Sequence, residues 1–194
     1  MHKPFNFDID SAGQRGIALG TYYPYWLDKA AKVKNPNCNP FSKSIMDFKD
    51  EKSSGHVRAV KLFTGYVMEQ IFATGIIPAE IVVVPSSTAG KVSAGLSGLA
   101  MGLAETDRRL FYRHQSLRRV KSIAKLANGG DRSFGVHLQS LEYQPHGAGN
   151  YPVVLIDDVA TTTNSLGGAM MVISAAARSG IKFLPLVLGR TGYM

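Results

Sequence analysis

At 194 residues the chain fits one domain with a core of its own and is short for two. Hydrophobic residues at 45% and charged residues at 19% are globular values that exclude wholesale disorder, and no apolar run approaches the roughly 20 residues of a membrane span. Cys38 is the sole cysteine, which excludes an internal disulfide and a cysteine-based zinc cluster. A net charge of +8 favours anionic partners without separating nucleic acid from a phosphorylated small molecule. The opening segment MHKPFNFDID has no apolar stretch behind its charges, so no secretory signal is expected, and a cytoplasmic setting is the natural expectation.

Residues 1–55 hold Tyr22, Tyr23, Tyr25 and Trp26 and turn chemistry such as Asn35-Pro36-Asn37 and Asn39-Pro40. They read as a strand-and-loop cap, or hood, over one end of an α/β core formed by residues 56–194. Between His56 and Thr74, Val60, Phe63, Val67 and Ile71 recur at helical spacing, and Gly75 is placed to stop that helix. Ile81–Val84 follows as a buried strand, then a small-residue helix over Ala89–Glu105. Residues 113–150 are rich in Arg, Lys, Gly and Ser, too long for a structureless loop unless functional or broken by short strands. Val153–Ile156 is a second buried strand, and Asn164–Ser179 a helix capped by Asn164 or Ser165 and ended by Gly180. Phe183–Leu188 is a third strand, which Pro185 assigns to a sheet edge. Alternating strands and helices predict a doubly wound, mostly parallel α/β sheet.

The chemistry concentrates after the second strand. Asp157 and Asp158 precede Thr161, Thr162, Thr163, Asn164 and Ser165 at the mouth of a helix. Open α/β sheets bind ligands beyond the carboxyl ends of their strands, and a helix N-terminus attracts phosphate. The hydroxyls add donors for a phosphate monoester, whereas two carboxylates repel it and suit the vicinal hydroxyls of a sugar or a nearby metal ion. Phosphate and diol together describe a ribose 5-phosphate. For the aspartate pair alone, strand-end solubility is the simpler account; the composite of strand, acids, hydroxyls and helix is what favours a site. After the first strand, VPSSTAGK offers Ser86, Ser87, Thr88 and Lys91 as a second anion loop, without P-loop spacing.

Over fourteen residues, VVLIDDVATTTNSL resembles the phosphoribosyl-diphosphate signature of the type I phosphoribosyltransferases: four apolar residues, two acids, then a hydroxyl loop. Elsewhere the likeness is one of texture, to the amidophosphoribosyltransferase-like and competence-protein-like branch. The resemblance implies the type I phosphoribosyltransferase fold, binding of phosphoribosyl diphosphate or a nucleotide with Mg2+, and transfer of phosphoribosyl to a nitrogen nucleophile. Asp157 and Asp158 would face the ribose hydroxyls, Thr161 through Ser165 the 5-phosphate, and Ser86, Ser87, Thr88 and Lys91 the diphosphate. Thr163 stands where the family has Gly, Asn164 follows, and Ser165 replaces the usual Thr.

Arg108, Arg109, Arg113, Arg118, Arg119, Lys121, Lys125 and Arg132 fall within 25 residues. The resemblance makes residues 113–133 a flexible loop closing over diphosphate, with Lys121, Arg132 and Arg118 as its preferred contacts. His56, His114, His137 and His146 lack metal-ligand spacing, and His114 and His137 are expected as solvated loop residues. The rival reading is a non-catalytic nucleotide sensor of the same fold that also holds single-stranded nucleic acid; the +8 charge and Thr163 favour it, and the absence of aromatics from the basic run opposes it. No G-x-G-x-x-G follows a strand, which removes a plain dinucleotide-binding domain. A homodimer is the default assembly.

Overall fold

The computed structural model describes residues 3–124, 133–145, 151–177 and 180–192. In chain order the elements are β1 (Phe5–Ile9), β2 (Gln14–Ala18), β3 (Thr21–Tyr22), β4 (Trp26–Asp28), β5 (Val33–Lys34), α1 (Pro40–Lys49), α2 (His56–Thr74) and β6 (Ala79–Val83). There follow α3 (Ala94–Thr106), β7 (Leu110–Tyr112), β8 (Leu117–Arg119), α4 (Phe134–Ser140), β9 (Leu141–Tyr143), β10 (Val153–Ala160), α5 (Asn164–Ala176) and β11 (Phe183–Thr191). The central sheet runs β1-β2-β11-β10-β6-β7, with β3 added at the end of β11. Every neighbouring pair in it is parallel except β1 with β2. The molecule is therefore an α/β protein with a mostly parallel sheet. None of the described helices is long and apolar enough to cross a membrane.

Strand alternation explains the two layers. Val154 and Ile156 pack with Phe63, Val67, Ile71, Leu99 and Leu103 on the side of α1, α2 and α3. Val153 and Leu155 turn the opposite way, into a second cluster with Leu166, Ile173, Leu117 and Tyr143. Covered on both faces, the strand can be apolar at every position, which is why the run stands out in the sequence. The α2 stripe buries Phe63, Val67 and Ile71 completely. Gly75 ends that helix in the left-handed region at φ 66°, its N–H closing on the carbonyls of Ile71 and Phe72.

Several expectations are corrected. Pro185 is not on an edge: β11 lies between β2 and β10. The Val187 carbonyl accepts from Leu19 on the β2 side, so two residues earlier the Pro185 nitrogen faces that side too. Its pairing with β2 starts only at Leu186↔Ile17, and no ladder bond is required of the proline. The small-residue helix starts at Ala94, not Ala89, because Ser93 caps it by accepting the Leu96 N–H at 3.2 Å. Residues 85–93 are thereby left as a longer loop. Helix α5 has Thr163 at its cap position without a side-chain cap bond, and it ends at Ala176, ahead of Gly180.

The first 55 residues do more than cover the sheet. Strands β1 and β2 extend it, while β4 and β5 form a small separate hairpin. Helix α1 buries Phe41, Ile45 and Phe48 in the same cluster as α2. The basic stretch likewise contains structure: β8 and β9 pair antiparallel in the register Leu117↔Tyr143 and Arg119↔Leu141, with α4 between them in sequence.

Candidate functional site

Strands β6 and β10 are adjacent and parallel, so the loops that follow them emerge side by side. Their ladder continues one step past the last registered pair, the Val84 N–H donating to the Ile156 carbonyl at 2.9 Å. There the two strands part, while β10 stays paired with β11 through Val159↔Gly189 and Ala160↔Arg190. Asp157 and Asp158 thus lie inside a strand, at the point where one of its neighbours has ended. The gap is a cavity of about 290 Å³, lined by both acids, Thr161, Thr162, Ser165, Ser86, Ser87 and Ser93, together with Lys49, Arg119 and His137.

The two carboxylates differ in their surroundings. Asp157 accepts the Asp158 N–H at 2.8 Å and the Ser165 hydroxyl at 3.2 Å. Burial, reinforced by the charge of Asp158, pushes its carboxyl up to about 7 despite those bonds and the nearby Lys49. Asp158 accepts the Val159 N–H at 2.6 Å and is ion-paired with Lys49, Nζ to Oδ1 2.9 Å. Burial alone would lower Lys49, but the charge and hydrogen bond of Asp158, with the charge of Asp157, hold it above the usual lysine value. Tyr22 stands close enough to feel both members of that ion pair, and burial raises its phenol.

The hydroxyl loop is braced from β11. Arg190 donates to the carbonyls of Ala160 and Thr161 at 3.3 and 3.2 Å, and the hydroxyls of Thr161 and Thr191 are 3.0 Å apart. Thr163 has φ −94° and ψ 3°, negative-φ backbone that does not require glycine. Thr161, Thr162 and Ser165 reach the cavity, whereas Thr163 and Asn164 do not line it. The Ser165 hydroxyl is directed at Asp157 rather than kept for a phosphate.

In the second loop, Ser86 and Ser87 line the cavity and Thr88 and Lys91 do not. The reason is the fold of the loop on itself: the Thr88 N–H bonds the Ser86 hydroxyl, the Lys91 N–H the Thr88 carbonyl, and the Ser86 N–H the Lys91 carbonyl. Gly90, at φ 68°, makes that reversal possible. Of the backbone donors from Ser86 to Lys91, only that of Ser87 is left unspent among the described residues.

Of the three preferred basic contacts, Arg118 faces away and pairs with Glu142 at 2.8 Å, and Lys121 is exposed and off the cavity wall. Arg132 and the Gly129–Gly130 pair lie outside the described residues. Arg119 is the cation that matters. Alternation in β8 turns it inward, 1% exposed, with Nε donating to the Ser86 carbonyl at 2.7 Å and Nη1 to the Ser140 hydroxyl. His137 is no solvated loop residue either: it is 1% exposed on α4, its Nδ1 3.4 Å from Arg119 Nη2. Gly168 on α5 allows this, since a Cβ there would stand 2.6 Å from the Cβ of His137. His114 lies on the surface against the Tyr112 hydroxyl.

The cavity therefore holds two acids, two cations, a histidine and serine and threonine hydroxyls, a set suited to an anionic, polyhydroxylated ligand. No group of three or more His, Cys, Asp or Glu side chains gathers as a metal site among the described residues. Compared with protein-family models and with curated proteins, the chain matches none.

Proposed function

We propose that the chain has the type I phosphoribosyltransferase fold, binds phosphoribosyl diphosphate or the 5-phosphate of a nucleotide in this cavity with Mg2+, and transfers phosphoribosyl to a nitrogen nucleophile. One observation carries the reading: the acid pair and both hydroxyl loops, 70 residues apart in sequence, line a single cavity at the carboxyl ends of adjacent parallel strands. That is where an open α/β sheet accepts a phosphorylated ligand. The ribose hydroxyls would donate to Asp157 and Asp158, and the 5-phosphate would sit against Thr161, Thr162 and the first turn of α5. The diphosphate would lie toward Ser86 and Ser87, in the field of the buried Arg119.

Transfer breaks the bond from ribose C1 to diphosphate oxygen and forms one from C1 to nitrogen, with the proton of the nucleophile leaving to a base. Asp157, whose carboxyl burial raises to about 7, would lie on the ribose side and suits proton exchange. Magnesium fits as an ion held chiefly by the phosphate oxygens of the ligand, since the described residues gather no cage for it, and it would neutralise charge on the departing diphosphate.

Titration calorimetry with phosphoribosyl diphosphate and MgCl2 tests the proposal. Saturable binding is expected, with affinity lowered at least about tenfold in Asp157→Ala and in Thr162→Ala. Silence of the unmodified protein would remove the proposal. Binding without diphosphate release in the presence of any nitrogen base would keep the ligand and select a non-catalytic sensor.

A further inference from the structure

Loops of serine, threonine and glycine are poor anion receptors unless something fixes them, because disorder dilutes their donors and their carbonyl oxygens repel the ligand as readily as the N–H groups attract it. The turn from Ser86 to Lys91 is fixed from outside. Five hydrogen bonds join it to residues 115–123. Gln115 Nε2 donates to the Gly90 carbonyl at 3.0 Å, Arg119 Nε to the Ser86 carbonyl at 2.7 Å, and the Ile123 N–H to the Ser87 carbonyl at 2.8 Å. In return the Gly90 N–H reaches the Arg119 carbonyl and the Ala89 N–H the Ser122 hydroxyl, both at 2.9 Å.

The direction of these bonds has a chemical consequence. Three carbonyls of the turn are drawn toward the 115–123 segment, and those of Thr88 and Lys91 are taken up within the turn by the N–H groups of Lys91 and Ser86. Five of the six carbonyl oxygens of the turn are thus occupied, while the Ser87 N–H and hydroxyl remain with the cavity; the Ser86 hydroxyl is held within the turn, accepting the Thr88 N–H at 3.3 Å and donating to the Thr88 carbonyl at 3.4 Å.

The segment is itself anchored. Strand β8 pairs with β9, the Val120 N–H donates to the Ser140 carbonyl, and the Gln144 N–H to the Ser116 carbonyl, each at 2.8 Å. Tyr143 on β9 then donates to the buried Glu80 of β6 at 2.8 Å. The chain of contacts returns to the strand from which the turn springs. Arg119 occupies the middle of it, a buried cation whose fork reaches the turn, Ser140 and His137 together.

From this geometry we propose that residues 115–123 are a fixed clamp, not a moving lid, and that Arg119 is its positioning residue, presetting the Ser86–Lys91 turn to receive the diphosphate half of the ligand. The inference rests on the reading of the cavity as a phosphoribosyl diphosphate site. It assigns the clamp to one end of that ligand: the ribose 5-phosphate half, held by the acid pair and the Thr161–Ser165 loop, gains nothing from it.

Two probes separate the halves. Inorganic pyrophosphate and ribose 5-phosphate are each titrated calorimetrically, with MgCl2, into the full chain, into Arg119→Lys, and into the double variant Gln115→Ala/Ser122→Ala. The double variant leaves the buried cluster intact and removes two of the five bonds from the surface side. Pyrophosphate affinity is expected to fall about tenfold in both variants, with ribose 5-phosphate affinity within about twofold of the unmodified protein. Arg119→Lys keeps the charge and loses the fork, so retained pyrophosphate affinity there would mean that charge alone matters and would overturn the positioning role. An unchanged double variant would overturn the clamp. Should the unmodified protein bind ribose 5-phosphate but not pyrophosphate, the inference fails and the ribose site stands. If it binds neither, the reading of the cavity fails with it.

Discussion

Replacing Asp157 with Asn should stabilise this protein, and by an amount that depends on pH. Burial and the neighbouring Asp158 raise the Asp157 carboxyl from 3.8 to about 7, so folding is opposed whenever the group must ionise. The folded state binds its proton more tightly than the unfolded chain does. Stability on this account is therefore complete below about pH 4 and is lost progressively as pH rises through about 7. About three pH units at 1.36 kcal/mol each set a ceiling near 4 kcal/mol, and the expectation at pH 8 is about 2–4 kcal/mol. An asparagine oxygen can still accept from the Asp158 N–H or from Ser165, so little else is lost. The assay is urea unfolding followed by circular dichroism at intervals from pH 4.5 to 8.5, with the difference between variant and unmodified protein plotted against pH. The curve should stand at about 1 kcal/mol at pH 4.5, climb to about pH 7 and level off above it. A flat curve, or a variant less stable at pH 8, would refute the claim that Asp157 is a charge held against its solvation. A climbing curve together with lost ribose 5-phosphate affinity would identify the residue as stability exchanged for binding.

Three further outcomes follow from the packing. Lys49→Met removes the partner of Asp158, but a side chain 41% exposed supports only a weak bridge, so urea unfolding at pH 7 should show a loss below about 1 kcal/mol that shrinks in about 1 M salt. Tyr143→Phe withdraws a donor from the buried Glu80 and should cost about 1–3 kcal/mol by the same measurement. Gly168→Ala gains up to about 1 kcal/mol of helix propensity and meets His137, whose Cβ would lie 2.6 Å away. Crowding there should win by about 1–3 kcal/mol, seen as a lowered Tm.

The parts legible in the sequence are those whose signal is local. Val153–Ile156 stands out because both sheet faces are covered, and the α2 stripe because a single face is. The acid pair and hydroxyl loop are continuous in the chain, and Asp157, Asp158, Thr161, Thr162 and Ser165 of that stretch reach the cavity. Lys49 could not be found this way: it approaches Asp158 from α1, 109 residues away, and the packing of α1 against α2, α3, β3 and β11 brings it there. Arg119 was visible as a cation, but β8 is three residues long, too short for alternation to separate it from Arg118. His137 is buried through a close helix crossing that depends on a glycine distant in sequence. Pro185 misled because the rule against central prolines concerns a missing donor, and here that nitrogen faces β2 before its ladder begins. The small-residue run from Ala89 hid where the helix starts, at the Ser93 cap.

The N-terminal strands carry a consequence for anyone wishing to dissect the molecule. Strand β11, nine residues long and largely buried, is screened on its outer side by β2 and β3 alone. A fragment beginning at residue 56 would keep both hydroxyl loops and the acid pair, yet present β11 as a long apolar border open to hydrogen bonding. Such a border invites edge-to-edge pairing between copies. That half of the sheet is therefore not a separable module, and preparations of it should precipitate.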